Sequence, residues 1–186
     1  MSKIWFTSDL HLGHTNVIGY DNRPFKNIDE HNEELIKRWN NKVAPDDIIY
    51  FLGDLAFCKD SEKLKWYISR LRGRKRMVLG NHDYKSVQWF MENGFERVYD
   101  RPILLKRRFI LSHRPIDEII DDKHSYFFNI YGHVHCAPAY KTVTKNSICV
   151  CCNRWNYEPI QIEEFNNFTP PEVKPIVHSN GHVQKT

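Results

Sequence analysis

Carboxylate, imidazole and amide side chains recur along this sequence in short segments: Asp9-Leu10-His11, Gly53-Asp54, Gly80-Asn81-His82-Asp83, Ser112-His113 and Gly132-His133-Val134-His135. Mixed imidazole and carboxylate donors suit borderline divalent ions such as manganese, iron, nickel, cobalt or zinc, whereas a site for calcium or magnesium alone is built almost wholly from oxygen. Two such ions about 3.5–4 Å apart can share one carboxylate, clamp a phosphate and lower the pKa of a water between them. Any one segment, taken singly, also reads as a strand end with nothing bound. Taken together and in order, with glycines beside Asp54, Asn81 and His133 that permit close backbone approach, they point to two-metal chemistry on phosphate esters. His133 and His135 alternate on a strand-like stretch and are expected to face the same way.

The elements that must position these groups are legible as apolar runs, each ending in a motif. Ile4 to Thr7, Asp47 to Leu52 and Arg76 to Leu79 read as strands. Between them lie two helical patterns, one with Leu35, Ile36, Trp39 and Val43 on one face and one with Leu64, Tyr67, Ile68 and Leu71. Asp29 and Ser61 are candidate N-caps, and a third helix from Lys85 to Asn93 stops at Gly94. Strand alternating with helix predicts a parallel α/β core with ligands at the carboxyl ends of its strands. Beyond Gly94 the spacing predicts shorter strands at 107–112, 127–131, 139–144, 147–152 and 160–163, with Lys145-Asn146 as a hairpin turn, hence a second sheet.

In their order these segments resemble the calcineurin-like metallophosphoesterase superfamily, in a compact bacterial and phage branch, whose pattern runs D-x-H, G-D, G-N-H-D/E, a lone His and G-H-x-H. Ser8 to Asn16 and Trp155-Asn156-Tyr157-Glu158-Pro159-Ile160 carry the same likeness, which spans residues 3–165. The resemblance implies a four-layer α/β/β/α sandwich and a pair of divalent ions, manganese preferred over iron, nickel, cobalt, zinc or magnesium. By motif matching, Asp9, His11, Asp54 and His135 resemble the ligands of one metal, and Asp54, Asn81, His113 and His133 those of the other, with Asp54 as the bridge. His82 matches the family's general acid, a role that typically contributes about 10²–10⁴-fold. The implied reaction is in-line attack of a metal-bridging hydroxide on a phosphate ester. Asn81, His14 and Arg114 are read as substrate contacts, although His14 and Arg114 have structural readings too, and Asn16, Tyr20 and Arg23 as further candidates for the entrance.

Two positions depart from the pattern. Many Ser/Thr phosphatases of the superfamily carry an Asp that orients the catalytic His where this chain has Phe57, so His82 must be held by Asp83, by a backbone carbonyl, or loosely. The compact branch often has an Asp before its W-N-Y segment, and here Asn153 and Arg154 stand there.

The only segments free to form a cap, 12–46 and 115–126, are short. An open site fits a phosphodiester (a cyclic nucleotide, a 2′,3′-cyclic phosphate or a nucleic-acid end) at least as well as a small monoester, so a phosphodiesterase is favoured over a phosphatase of small molecules or phosphoproteins. A non-catalytic scaffold of the same fold is the alternative of another class, and the presence of His82 argues against it.

At 186 residues, 41% hydrophobic and 27% charged, the chain matches one soluble domain over 1–168, with a Pro-rich polar tail at 169–186 that carries His178 and His182. It shows no long apolar stretch or signal-peptide pattern, so a cytoplasmic enzyme without a membrane partner is expected. Five cysteines, among them Cys149, Cys151 and Cys152, read as small core residues, with a redox cluster as the lesser alternative. The net charge of +4 includes the runs Arg72 to Arg76 and Lys106 to Arg108, either solvated connections or a positive rim that draws in anionic substrate, nucleic acid included.

Overall fold

A computed structural model of the chain describes residues 2–116, 128–144 and 147–161. Its first sheet is β1 (Ile4–Thr7), β2 (Ile48–Phe51), β3 (Arg74–Val78) and β4 (Arg97–Tyr99), all parallel and in sequence order. The connections carry α1 (Val17–Tyr20), α2 (Ile28–Lys42), α3 (Ser61–Arg70) and α4 (Val87–Glu92). Because the strands follow one another in order and such crossovers share one hand, α2, α3 and α4 pack on a single face. There Leu35, Trp39, Leu64, Ile68 and Phe90 meet Trp5, Ile49, Phe51 and Met77.

Side chains alternate along each strand, so Phe6, Tyr50, Leu52 and Val78 point the other way, into a second core. This core is closed by a second sheet of β5 (Ile103–Leu105), β6 (Phe109–Ser112), β7 (Phe128–Tyr131) and β8 (Ser147–Cys149). In it β5 is antiparallel to β6, while β6, β7 and β8 are parallel. Leu111, Ile130 and Ile148 face the first sheet. Tyr131, Cys149 and Cys151 face outward under Val134, Ala137 and Tyr140. Two parallel-rich sheets lie face to face with helices outside the first, in keeping with the expected four-layer α/β/β/α sandwich. Among the described residues its outer β face is covered by this loop packing rather than by a helix. The sheets meet where β1 and β8 run out: Ser8 donates its N–H to Val150 and accepts that of Cys152.

Several boundaries differ from the sequence reading. The caps are Asn27 and Asp60, whose side chains accept from Glu30 N–H and from the N–H groups of Glu62 and Lys63; Asp29 and Ser61 lie one or two residues inside. Residues 139–144 make no strand beyond an isolated bridge at Val143; Arg154 instead holds the Tyr140 carbonyl and Thr142 Oγ1. β4 and β5 were not anticipated. The Lys145-Asn146 turn, most of 115–126 and the tail lie outside the described residues. Cys149, Cys151 and Cys152 are fully buried beside the sheet, as a core role requires. Among the described residues no helix is long and apolar enough to cross a membrane.

Both basic runs lie at the end of the sheets away from the motifs. Arg74 and Arg76 sit at the start of β3 and pair with Glu96, and Lys106 to Arg108 form the turn that precedes β6. They are connections at the far edge, which settles that alternative against a positive rim around the motifs.

Candidate metal centre

Asp9 and His11 follow β1, Asp54 follows β2, Asn81 and His82 follow β3, His113 follows β6, and His133 and His135 follow β7. The first two loops are zipped together by backbone hydrogen bonds. Asp9 donates to Gly53, His11 to Asp54 and Leu12 to Leu55, and Phe57 returns one to Leu12. The backbone turns sharply at the motifs, and Asp9, His11, Asp54, His133 and His135 all have left-handed φ values of 58°, 52°, 60°, 70° and 47°. Such conformations cost of order 1 kcal/mol or more each for residues other than glycine, and Asp and His tolerate them better than most. His133 and His135 converge because of these turns and not because they alternate on a strand, since β7 has already ended at Tyr131. Two glycines are required by close approach. A Cβ at Gly80 would stand 2.2 Å from Asp54 Oδ1, and one at Gly132 would stand 2.6 Å from Asp9 Oδ2.

Each carboxylate has one oxygen tied down and one free. His133 N–H binds Asp9 Oδ2 and His82 N–H binds Asp54 Oδ1, both at 2.9 Å. Asp9 Oδ1 accepts no hydrogen bond among the described residues although it is buried; it lies 3.4 Å from His135 Nε2 and 3.9 Å from His11 Nε2. Asp54 Oδ2 stands between His11 Nε2 at 3.6 Å and His113 Nε2 at 3.5 Å. His11 Nε2 and His135 Nε2 are 3.2 Å apart. His113 Nε2 is 3.0 Å from Asn81 Oδ1 and 3.1 Å from His133 Nδ1.

Two outer contacts fix which ring nitrogens carry protons. His113 Nδ1–H donates to Leu52 O at 2.8 Å, and His135 Nδ1–H donates to Asp21 Oδ2 at 2.5 Å. Both Nε2 atoms therefore turn lone pairs toward carboxylate, amide and imidazole acceptors. Converging acceptors without a proton between them are what a cation requires, and the donor set suits divalent metals of mixed N/O preference. The candidate metal-binding groups are Asp9, His11, Asp54 and His135 on one side and Asp54, His113 and His133 on the other, with Asn81 added to the second by its contact with His113.

Protonation agrees. Burial pushes the His11 pKa far down, helped by the neighbouring His135, and brings that of His133 to about 4, with His113 and Arg114 adding repulsion. Burial also raises the Asp54 carboxyl; nearby His113 opposes that and Asp9 reinforces it. At His135 burial works against the charge, but the hydrogen bond to Asp21 outweighs it and the pKa rises.

The supporting groups have roles that the sequence did not disclose. Arg23 is not at the entrance. It is buried, donates to the carbonyls of Asp9 and Leu10, each at 2.9 Å, and holds Asp21 against His135. Asn129, wholly buried in β7, accepts from Ile116 N–H and donates to Ile110 O and Ser112 Oγ, which pins the loop carrying His113. Arg154, at the position where the resemblance leads one to look for an Asp, donates to the carbonyls of His135, Ala137 and Tyr140 and so shapes the loop carrying His135. Residue type and spacing gave no signal of these roles.

His82 is only partly buried. Its N–H is fixed on Asp54, and its ring packs edge-on against Phe57 at 5.6 Å and His11 at 5.4 Å between centroids. Asp83 does not orient it. That carboxylate takes the N–H groups of Asp54, Leu55 and Gly80, and burial raises its pKa to about 6. His14 stacks on Phe57 at 4.5 Å and is tilted against His11 at 5.5 Å, so it lies at the mouth. Arg114 is exposed beside His133.

His31 gives a pH-dependent outcome of its own. It is buried, with Nδ1–H directed at Asn32 and Nε2 accepting from Arg23. Burial first, and then Arg23, hold its pKa down at about 4. The unfolded chain, with a His pKa near 6.5, binds the proton first on acidification. Its contribution is therefore intact above about pH 6.5 and lost as pH falls toward 4, by about 2 kcal/mol at pH 5. Urea unfolding of the metal-free protein at pH 7 and pH 5 should show a steeper loss for the native chain than for His31→Gln; equal slopes would exclude this.

A family model described as calcineurin-like phosphoesterase matches residues 2–178. An uncharacterised protein of Methanocaldococcus jannaschii is 34% identical over 176 residues, covering 88% of this chain and 89% of that one. Gene 66 proteins of the Mycobacterium phages L5 and D29 are each 40% identical, over 45% and 53% of this chain and 41% and 49% of theirs. Among solved structures, a protein of unknown function from Aquifex aeolicus superposes with a TM-score of 0.67 at 25% identity, over 90% of this chain and 99% of that one.

Proposed function

The chain belongs to the calcineurin-like phosphoesterase family, and from that premise we propose that it is a phosphodiesterase working with two divalent ions, manganese by preference. The observation that carries this reading is Asp54 Oδ2, placed almost equally far from His11 Nε2 and His113 Nε2 at 3.6 and 3.5 Å. Asp9, His11, Asp54 and His135 would hold one ion, and Asp54, Asn81, His113 and His133 the other. Bound there, the ions would supply Lewis-acid activation of water and neutralise charge on the phosphate.

The chain's own groups do the rest. Asn81 and His82 stand at the open side of the centre, where a phosphate can approach. His82 faces the leaving oxygen and donates the proton that the departing alkoxide needs. Its position comes from the backbone bond to Asp54 and from packing between His11 and Phe57, since its ring makes no hydrogen bond among the described residues. His14 and Arg114 border the same opening. With Arg114 alone among these rim groups carrying a permanent charge, and with both basic runs at the far end, a singly charged diester suits the opening better than a doubly charged monoester. A protein that needs no membrane and acts in the cytoplasm completes the proposal.

The proton-donor role is tested by the leaving group. His82→Ala is expected to retain its metals and to lose kcat by roughly 10²-fold or more on an alkyl diester, while a nitrophenyl diester, whose leaving group needs no proton, is far less affected. An equal loss on both substrates would remove His82 as the acid.

A further inference from the structure

The opening of the site carries an aromatic surface of which the hydrolytic chemistry uses only the edge of Phe57 that packs on His82. Phe57 and Tyr20 are 45% and 60% exposed, unusual for large apolar rings. They flank His14: Phe57 is stacked on it at 4.5 Å and 27°, and Tyr20 stands edge-on at 6.2 Å and 75°. Phe57 also touches the His82 ring at 5.6 Å, so its free surface begins one residue away from the proton donor. Its backbone is not free to swing, because Phe57 N–H is bonded to Leu12 O within the zipped ligand loops. Beyond Tyr20 the surface continues into an open cleft of about 560 Å³ lined by Thr15, Asn16, Lys26 and Asn27. A rigid, solvent-facing ring beside a phosphate site is suited to a planar heteroaromatic group, and every nucleobase presents a π-face to such a ring.

We infer that Phe57, flanked by Tyr20, is the base-binding shelf of this site and that the substrate is a nucleotidyl phosphodiester, the nucleobase lying on Phe57 while the phosphate occupies the metal centre. The inference rests on the phosphodiesterase reading and narrows it. Phe57 and Tyr20 determine specificity and take no part in proton transfer. The remote basic runs leave the shelf as the feature that selects the substrate, which favours a short nucleotidyl ester over a long polynucleotide.

The test compares two diesters with the same leaving group, thymidine 5′-(p-nitrophenyl) phosphate and methyl p-nitrophenyl phosphate, on manganese-loaded full-length protein. The native chain is expected to favour the nucleoside ester in kcat/KM. Phe57→Leu should lower that preference roughly tenfold, mainly through KM, and Phe57→Trp should restore it. Tyr20→Leu, whose ring packs on His14 and not on His82, should lower the preference in the same sense, through KM for the nucleoside ester. Equal use of both esters by the native chain, or variants that slow both equally, would overturn the shelf alone. No turnover of either ester by protein with two manganese ions bound would overturn the phosphodiesterase reading and the shelf with it.

Discussion

Asp54→Asn is expected to bind at most one metal ion per chain and to lose turnover by roughly 10²–10³-fold, as follows from about 3–4 kcal/mol of lost charge stabilisation. Asp54 is 1% exposed and its two oxygens have separate tasks. Oδ1 holds the His82 N–H, and Oδ2 faces His11 and His113 together. An amide can keep the first contact only by turning its NH₂ group toward the imidazoles, where it repels a cation. The same substitution should have the opposite effect on the metal-free protein. Folding raises the Asp54 pKa, chiefly by burial and with Asp9 reinforcing it, so the ionised carboxylate opposes folding when no cation is present. Metal-free Asp54→Asn should melt above metal-free native chain, and the metal-loaded variant below the metal-loaded native chain. Elemental analysis and melting curves check both halves; two ions retained at near-native rate would remove Asp54 as the shared ligand.

Arg23→Leu should be the most destabilising single substitution near the site, by about 3–5 kcal/mol, because it strands several buried partners at once. Left behind are the carbonyls of Asp9 and Leu10, the Asp21 carboxylate and His31 Nε2. For a chain of this size that corresponds to a melting temperature lowered by about 10 °C or more. The companion Asp21→Asn separates stability from metal binding. It preserves shape but removes the charge that faces both His135 Nδ1 and the buried Arg23, and should reduce metal affinity about 10–100-fold with a smaller change in melting than Arg23→Leu. If Arg23→Leu melts near the native chain and binds metal as tightly, the buried guanidinium does not organise the site.

These two residues also mark the boundary of what the sequence disclosed. Asp54 was legible because an apolar run, Asp47 to Leu52, ends in Gly53-Asp54, and strand ends in parallel sheets are where ligands gather. The first three strands, the faces of α2 and α3, and the stop at Gly94 followed from the same periodicities. The roles of Asp21 and Arg23 were not legible: Arg23 reads as an entrance residue, Asp21 belongs to no motif, and the partner His135 lies far along the chain. The left-handed turns at Asp9, His11 and Asp54 leave no trace in residue type beyond their tolerance of it. Residues 139–144 look like a strand by alternation, and only the buried Arg154, which takes the Tyr140 carbonyl and Thr142 Oγ1, shows why they are a loop. β4 and β5 contain three residues each, too few for a period-2 pattern to separate from chance.

If the Asp and His cluster is a two-metal centre acting on phosphodiesters, protein stripped of metal should turn over neither bis(p-nitrophenyl) phosphate nor p-nitrophenyl phosphate. On re-supply of manganese, with bound metal counted, its diester rate should rise with the second ion and exceed the monoester rate. Two bound ions with no diester turnover, or a monoester rate well above the diester rate, would contradict that reading.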